Sequence, residues 1–290
     1  MPIRSTRAGT RTKVIEPLEW AFPPQPLPQR EVIERHPAGG PAGDRPPLLF
    51  VHGHSHAAWC WDEHWLPALA ERGWSGYALS LRGHGASAGS EGLHRWTLRD
   101  YEHDVLQTIT ALPAPPVLVG HSMGGLVVQR VLERYLAAPA AVLVAPTGDR
   151  HGFGVVANLV RRRPVRLAQA AAMRPLRLDA HDLFAGLDEA AGASYAARLT
   201  PEAPRAQLQL GLPRRAYTAA CPVLVLGGGA DTLVPASDLV RSARRYGTRA
   251  HLFAGMGHDL MLDAGWQAPL ALLLDWLEDV LAPAEGRGTL

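Results

Sequence analysis

Residues 116–136, PVLVGHSMGGLVVQRVLERYL, decide the fold. The stretch opens on an apolar, β-branched run of the length a buried strand needs, and from Leu126 onward apolar residues return at three- and four-residue spacing, as they do along one face of a helix. Between the two halves stands Gly120-His121-Ser122-Met123-Gly124, with Gly125 behind it. The small residues let the chain turn sharply from strand to helix and let the two pack closely. A serine on such a turn has its hydroxyl raised above the sheet edge, with the positive end of the helix facing it.

Working outward, the same strand-then-helix alternation repeats. Residues 47–51 (PLLFV), 76–81 (GYALSL), 116–119 (PVLV), 141–145 (AVLVA), 222–226 (PVLVL) and 250–254 (AHLFA) are short apolar runs, as expected of parallel strands buried on both faces. Residues 15–22 and 31–35 alternate instead, as antiparallel edge strands do. Residues 64–72, 97–112, 125–136, 235–246 and 266–281 carry helical spacing, and Thr97 followed by Asp100 predicts a helix start. The interval 147–212 is poor in strand-like sequence and rich in Arg, Ala and Leu, which predicts a helical insertion. The expected architecture is therefore α/β: a mostly parallel eight-stranded sheet with helices on both faces, a core over 1–146 and 213–282, a helical insertion over 147–212 and a frayed tail over 283–290.

The pattern G-x-S-x-G occurs twice, although chance would supply it only about 0.1 times in a chain of this composition. The second copy is Gly85-Ala86-Ser87-Ala88-Gly89. Ser87 is followed by the polar sequence SEGLHRW, which reads as a surface loop, so context selects Ser122 as the nucleophile. A serine hydroxyl needs a histidine to take its proton and a carboxylate to orient that histidine. Among 13 histidines, His258 lies in GMGHDL just past the last strand-like run, where a loop can reach back over Ser122. Asp231 follows PVLVLGGGA at the end of the preceding strand. Asp238, Asp259 and Asp263 are rivals: Asp238 is expected inside a helix, and Asp259 adjoins His258 and points away from its ring. The anion formed on attack calls for backbone donors: Met123 N–H at the helix start, and His54 N–H after VHG. His52 reads as a structural hydrogen-bonding residue.

Composition bounds the alternatives. The chain has 290 residues, 47% apolar and 19% charged, and its formal charge of +2 offers no footprint for nucleic acid. Cys60 and Cys221 form neither a C-x-x-C pair nor a zinc pattern, so no metal or cofactor is expected and a reducing cytoplasm fits. The basic, proline-containing start lacks the apolar run of a secretory signal, and no window is long and apolar enough to span a membrane.

Taken together, VHGH at 51–54, LRGHGAS at 81–87, GHSMGG at 120–125 and the pair GADTLVP and GMGHDL within 229–260 resemble the α/β-hydrolase superfamily. VHGHSHAAWCW resembles its branch of plant methyl esterases, hydroxynitrile lyases and bacterial esterases. The family commonly has Asp where this chain has Ser80. Arg82 and His84 are expected to brace their loop. The resemblance implies acyl transfer by a serine esterase acting on a small-molecule ester, and it implies a cap at 147–212. Thioesterase, lactonase, amidase and acyltransferase chemistry use the same residues, and a slow-turnover receptor of small hydrophobic ligands shares the fold. Trp59, Met173, Leu176, Leu183, Phe184, Leu187 and Met256 are the candidate lining of an apolar acyl pocket, or ordinary core. The arginine run at 161–166 reads as a solvated face.

Overall fold

The computed structural model describes residues 26, 29–40, 45–135, 138–147, 174–212 and 219–282. The expected strand at 15–22, Met173, the arginine run and the tail 283–290 lie outside them.

Strands β1 (Val32–Arg35), β2 (Leu48–Val51), β3 (Gly76–Leu79), β4 (Val117–His121), β5 (Ala141–Val144), β6 (Val223–Gly228) and β7 (Ala250–Phe253) form one sheet in the order β1-β3-β2-β4-β5-β6-β7. β1 pairs antiparallel with β3, and every other pairing is parallel. The described sheet thus has seven strands where eight were expected, the run at 15–22 being the one not described.

Strand periodicity divides the core into two layers. Leu48, Phe50, Val117, Val119, Val142, Val144, Leu224 and Leu226 face one way, onto Trp61, Trp65, Leu66 and Leu69 of α1 (Trp59–Asp62) and α2 (Trp65–Glu71) and onto the last helix. Leu49, Val51, Leu118, Ala141, Leu143, Val223 and Val225 face the other way, onto α3 (Leu98–Ala111) and α4 (Ser122–Arg134). Successive side chains point to opposite faces, so continuous apolar runs are what a sheet covered on both sides requires. Thr97 and Asp100 form the expected reciprocal cap of α3: Thr97 N–H donates to Asp100 at 2.9 Å.

Within 174–212 stand the short helices α5 (Ala180–Leu183), α6 (Glu189–Ala196) and α7 (Pro204–Gln209). After β6 come α8 (Ala236–Arg245) and, beyond β7, α9 (Gln267–Leu281), which covers the first layer. Cys60 and Cys221 are both free. Among the described residues no helix is long and apolar enough to cross a membrane.

Candidate active site

β4 delivers Ser122 to the carboxyl edge of the sheet. Ser122 has φ of 50°, a left-handed conformation that costs a non-glycine residue on the order of 1–3 kcal/mol and persists only where the surroundings fix it. They do so closely. A Cβ on Gly124 would lie 2.4 Å from the carbonyl oxygens of both Val51 and His52, so α4 starts hard against the end of β2. A Cβ on Gly53 would stand 3.1 Å from Ser122 Cβ, which puts the loop after β2 beside the serine.

The loops after β6 and β7 complete a line of three side chains. His258 Nε2 lies 2.9 Å from Ser122 Oγ, and His258 Nδ1 lies 2.8 Å from Asp231 Oδ2. Asp231 Oδ1 accepts the N–H groups of Leu233 (2.7 Å) and Val234 (2.9 Å), which fixes the carboxylate in its turn. With Nδ1–H directed at Asp231, Nε2 is free to accept the serine proton. Burial disfavours the His258 imidazolium, but the charge of Asp231 and its hydrogen bond outweigh this and hold the pKa above the ordinary histidine value. Sequence reasoning placed these three residues together, and they are together.

The rival residues are occupied elsewhere. Ser87 Oγ donates to Ser80 O at 2.6 Å and accepts from Glu31 N–H at 2.9 Å. Asp238 sits in α8, paired with Arg241. Asp259 turns from the His258 ring to His56 Nε2, 2.8 Å away, with His121 Nε2 at 3.4 Å from its other oxygen. His52 Nδ1 donates to Gly53 O (2.8 Å) and Nε2 accepts from Leu81 N–H (3.0 Å), the structural role expected of it. Arg82 braces its loop through Asp104 at 2.6 Å.

Met123 is the second residue of α4, where a backbone N–H has no partner within the helix. His54 is buried; its ring is bonded to Ser55 Oγ (2.9 Å) and Gln207 Oε1 (3.2 Å). Of the expected acyl-pocket residues, Met256 belongs to the first core layer, with Trp59 and Phe184 packed against it. Leu183 is fully buried, and its carbonyl accepts from His258 N–H (2.7 Å) and Asp259 N–H (3.0 Å). Leu176 and Leu187 are half-buried.

Several contacts that hold the site together had no signal in the sequence, and the rival carboxylate Asp263 is committed to one set of them. Asp263, fully buried, accepts the N–H groups of Ala185, Gly186, Gly257 and Ala264, tying the loop that carries His258 to the segment after α5. Glu202 reaches the loop after β2 across nearly 150 residues. His56 lies in the VHGHSH stretch, where no local spacing marks it off from His52 and His54. Ligand atoms of His121, His258 and Asp259 come within 4.8 Å of one another. Both His258 nitrogens face Ser122 and Asp231, and His121 Nε2 donates to His258 O at 3.2 Å, so the cluster is a hydrogen-bonded network. Burial drives the His121 pKa down to about 3, keeping that ring neutral.

A strand-turn-helix serine backed by histidine and aspartate on a mostly parallel sheet is the arrangement of the α/β hydrolases. Residues 48–271 match the model of the "Alpha/beta hydrolase family", and the chain belongs to that family. It is similar to the monoacylglycerol lipase of Mycolicibacterium smegmatis, 27% identical over 250 residues that cover 79% of this chain and 87% of that one. Esterase PIR7B of Oryza sativa subsp. japonica is 38% identical over 123 residues, covering 40% of this chain and 45% of the rice protein. Among solved structures, a soluble variant of the monoglyceride lipase of Saccharomyces cerevisiae superposes with a TM-score of 0.69 at 16% identity, over 87% of this chain and 92% of that one. That likeness shows the shared fold.

Proposed function

We propose that this protein is a serine hydrolase that cleaves a carboxylic ester through an acyl-enzyme intermediate. The observation that carries the reading is the unbroken line from Ser122 Oγ through His258 to Asp231, with contacts of 2.9 and 2.8 Å. In this reading His258 Nε2 takes the Ser122 proton as Oγ attacks the ester carbonyl. Asp231 holds the imidazole in the tautomer that accepts at Nε2 and stabilises the imidazolium that forms. The N–H groups of Met123 and His54 receive the developing oxyanion, and His258 then passes its proton to the departing alkoxide. Water repeats the sequence on the acyl-serine. Serine at the turn favours acyl transfer; the alkyl-ester chemistry of dehalogenases would need a carboxylate there.

The substrate class we infer is a small hydrophobic or monoacyl-lipid ester. Relatedness to the mycobacterial monoacylglycerol lipase along most of both chains supports it, as do the apolar side chains of Trp59, Leu176, Leu183, Phe184, Leu187 and Met256. Residues 174–212, the described part of the interval 147–212, act in this reading as part of a cap over the acyl site.

The test is a panel of aryl esters and monoacylglycerols of increasing chain length, with thioesters and lactones, run beside Ser122→Ala. Ester turnover with an initial burst is expected, falling by about 10⁶ in the alanine variant. Turnover retained by Ser122→Ala would overturn the mechanism. Absence of turnover on every acyl substrate, with a ligand raising Tm, would replace it by the receptor reading.

A further inference from the structure

The peptide between His54 and Ser55 is fastened at both ends. Its N–H donates to Glu202 at 3.1 Å, and its carbonyl accepts from His56 Nδ1 at 2.8 Å, the far side of the His56 ring being held by Asp259. The next carbonyl, of Ser55, accepts from Thr200 N–H at 2.9 Å. Ser55 has φ of 66°, another left-handed non-glycine residue. Such a conformation survives when its surroundings over-determine it, and here the backbone groups on either side of the strained residue are all taken. Two of the three come from residues 200–202, in the segment between α6 and α7.

Glu202 is fully buried. Besides Ser55 N–H it accepts from Tyr101 Oη at 2.6 Å and Ala203 N–H at 2.7 Å, and His84 Nε2 stands 3.4 Å away. Burial alone would raise its pKa, but the neighbouring His84, His54 and Tyr101 outweigh this and keep it below the usual carboxylate range. Burial likewise opposes a charged His84, and Glu202 overcomes it, raising the His84 pKa. A buried carboxylate costs several kcal/mol unless paired and hydrogen-bonded this completely.

We infer that Glu202 is a positioning residue for the oxyanion loop: by holding Ser55 N–H it anchors the 54–55 peptide and the Cα of His54, and so restrains the preceding 53–54 peptide, which carries His54 N–H and starts at Gly53 beside Ser122. The inference rests on the hydrolase reading above, in which His54 N–H receives the oxyanion. The carboxylate itself touches no reacting atom. Its position also makes the segment between α6 and α7 part of the catalytic scaffold, because displacing that segment removes Glu202 and Thr200 from the loop together.

A purely architectural Glu202 would lower stability when removed and leave the chemistry of the folded protein intact. A positioning role moves transition-state binding. The test uses the full chain, p-nitrophenyl butyrate as substrate and an alkyl boronic acid as tetrahedral anionic adduct of Ser122. Glu202→Ala is expected to lower kcat by about 100-fold with KM within about threefold, and to weaken boronate binding by a similar factor. Glu202→Gln keeps one acceptor oxygen but must turn its amide NH₂ toward either Ser55 N–H or Ala203 N–H, and should fall between Ala and wild type. Tyr101→Phe, which removes a Glu202 partner and leaves the Ser55 bond, should cost less than about fivefold. Where Glu202→Ala does not fold, the Gln and Phe variants carry the comparison, with an intermediate loss, parallel in kcat and boronate affinity, expected in Gln and spared in Phe.

Folded Glu202 variants with lowered Tm but unchanged kcat and boronate affinity would overturn the positioning role while wild-type turnover and a dead Ser122→Ala left the hydrolase reading standing. A wild type without ester turnover would sink both.

Discussion

Two matches to one pentapeptide pattern, Gly85–Gly89 and Gly120–Gly124, end in opposite fates. Ser122 closes a strand and opens a helix, and its hydroxyl faces an imidazole at 2.9 Å. Ser87 lies in the loop after β3, and its hydroxyl is spent on Ser80 O and Glu31 N–H, pinning that loop to the chain just before β1. Both serines are buried and both are hydrogen-bonded, so burial does not distinguish them. The difference lies in the partner: a backbone carbonyl and amide hold a hydroxyl, whereas an imidazole paired to a carboxylate can take its proton. A pattern specifies a local turn, and the elements on either side specify what the turn is aimed at.

The comparison can be broken from either side. If the Ser122 side works as described, Asp231→Asn should lower kcat by about 10³ to 10⁴, since the amide no longer secures the right tautomer. A loss of less than about tenfold would move that role to another carboxylate, and Asp259 is already committed to His56 and His121.

A smaller effect is expected from pH. His258 must be neutral to act, and its pKa is raised, so kcat/KM should climb with pH through an ionisation above the ordinary histidine value of about 6.5. The acid limb should move to lower pH in whatever activity Asp231→Asn retains. A flat profile from about pH 5 to 9 would contradict the assignment of the base.

The smallest expected effect is on the Ser87 side. Ser87→Ala should leave kcat/KM within about twofold, yet cost about 1–3 kcal/mol in denaturant unfolding, because Glu31 N–H and Ser80 O lose their partner together. Unchanged stability with impaired turnover would invert the contrast.

β2 to β6 were legible because a sheet covered on both faces writes itself as continuous apolar runs; β7 also falls within a few residues of its expected bounds, but it is the edge strand, half-buried to exposed, and not the doubly buried strand its apolar run suggested. The start of α3 was legible from its reciprocal cap. The four-residue α1, WCWD, was not, being too short to show a period, and Ser90–Arg95 forms a 3₁₀ turn where a loop was expected. Within the site, Ser122, His258 and Asp231 could be found because each sits directly past a recognisable strand. The contacts of Glu202, of Asp263 and of the His56–Asp259 pair could not, because they join distant loops and no local spacing encodes them. What the sequence displays is the proposed reacting line; what it hides is the scaffold that keeps that line and its loops in place.

The most direct test of that reacting line is intact-mass measurement after fluorophosphonate treatment of wild type, Ser122→Ala and Ser87→Ala. A single adduct is expected on wild type and on Ser87→Ala, and none on Ser122→Ala. An adduct that persists in Ser122→Ala, or disappears in a folded Ser87→Ala, would contradict the assignment of the nucleophile.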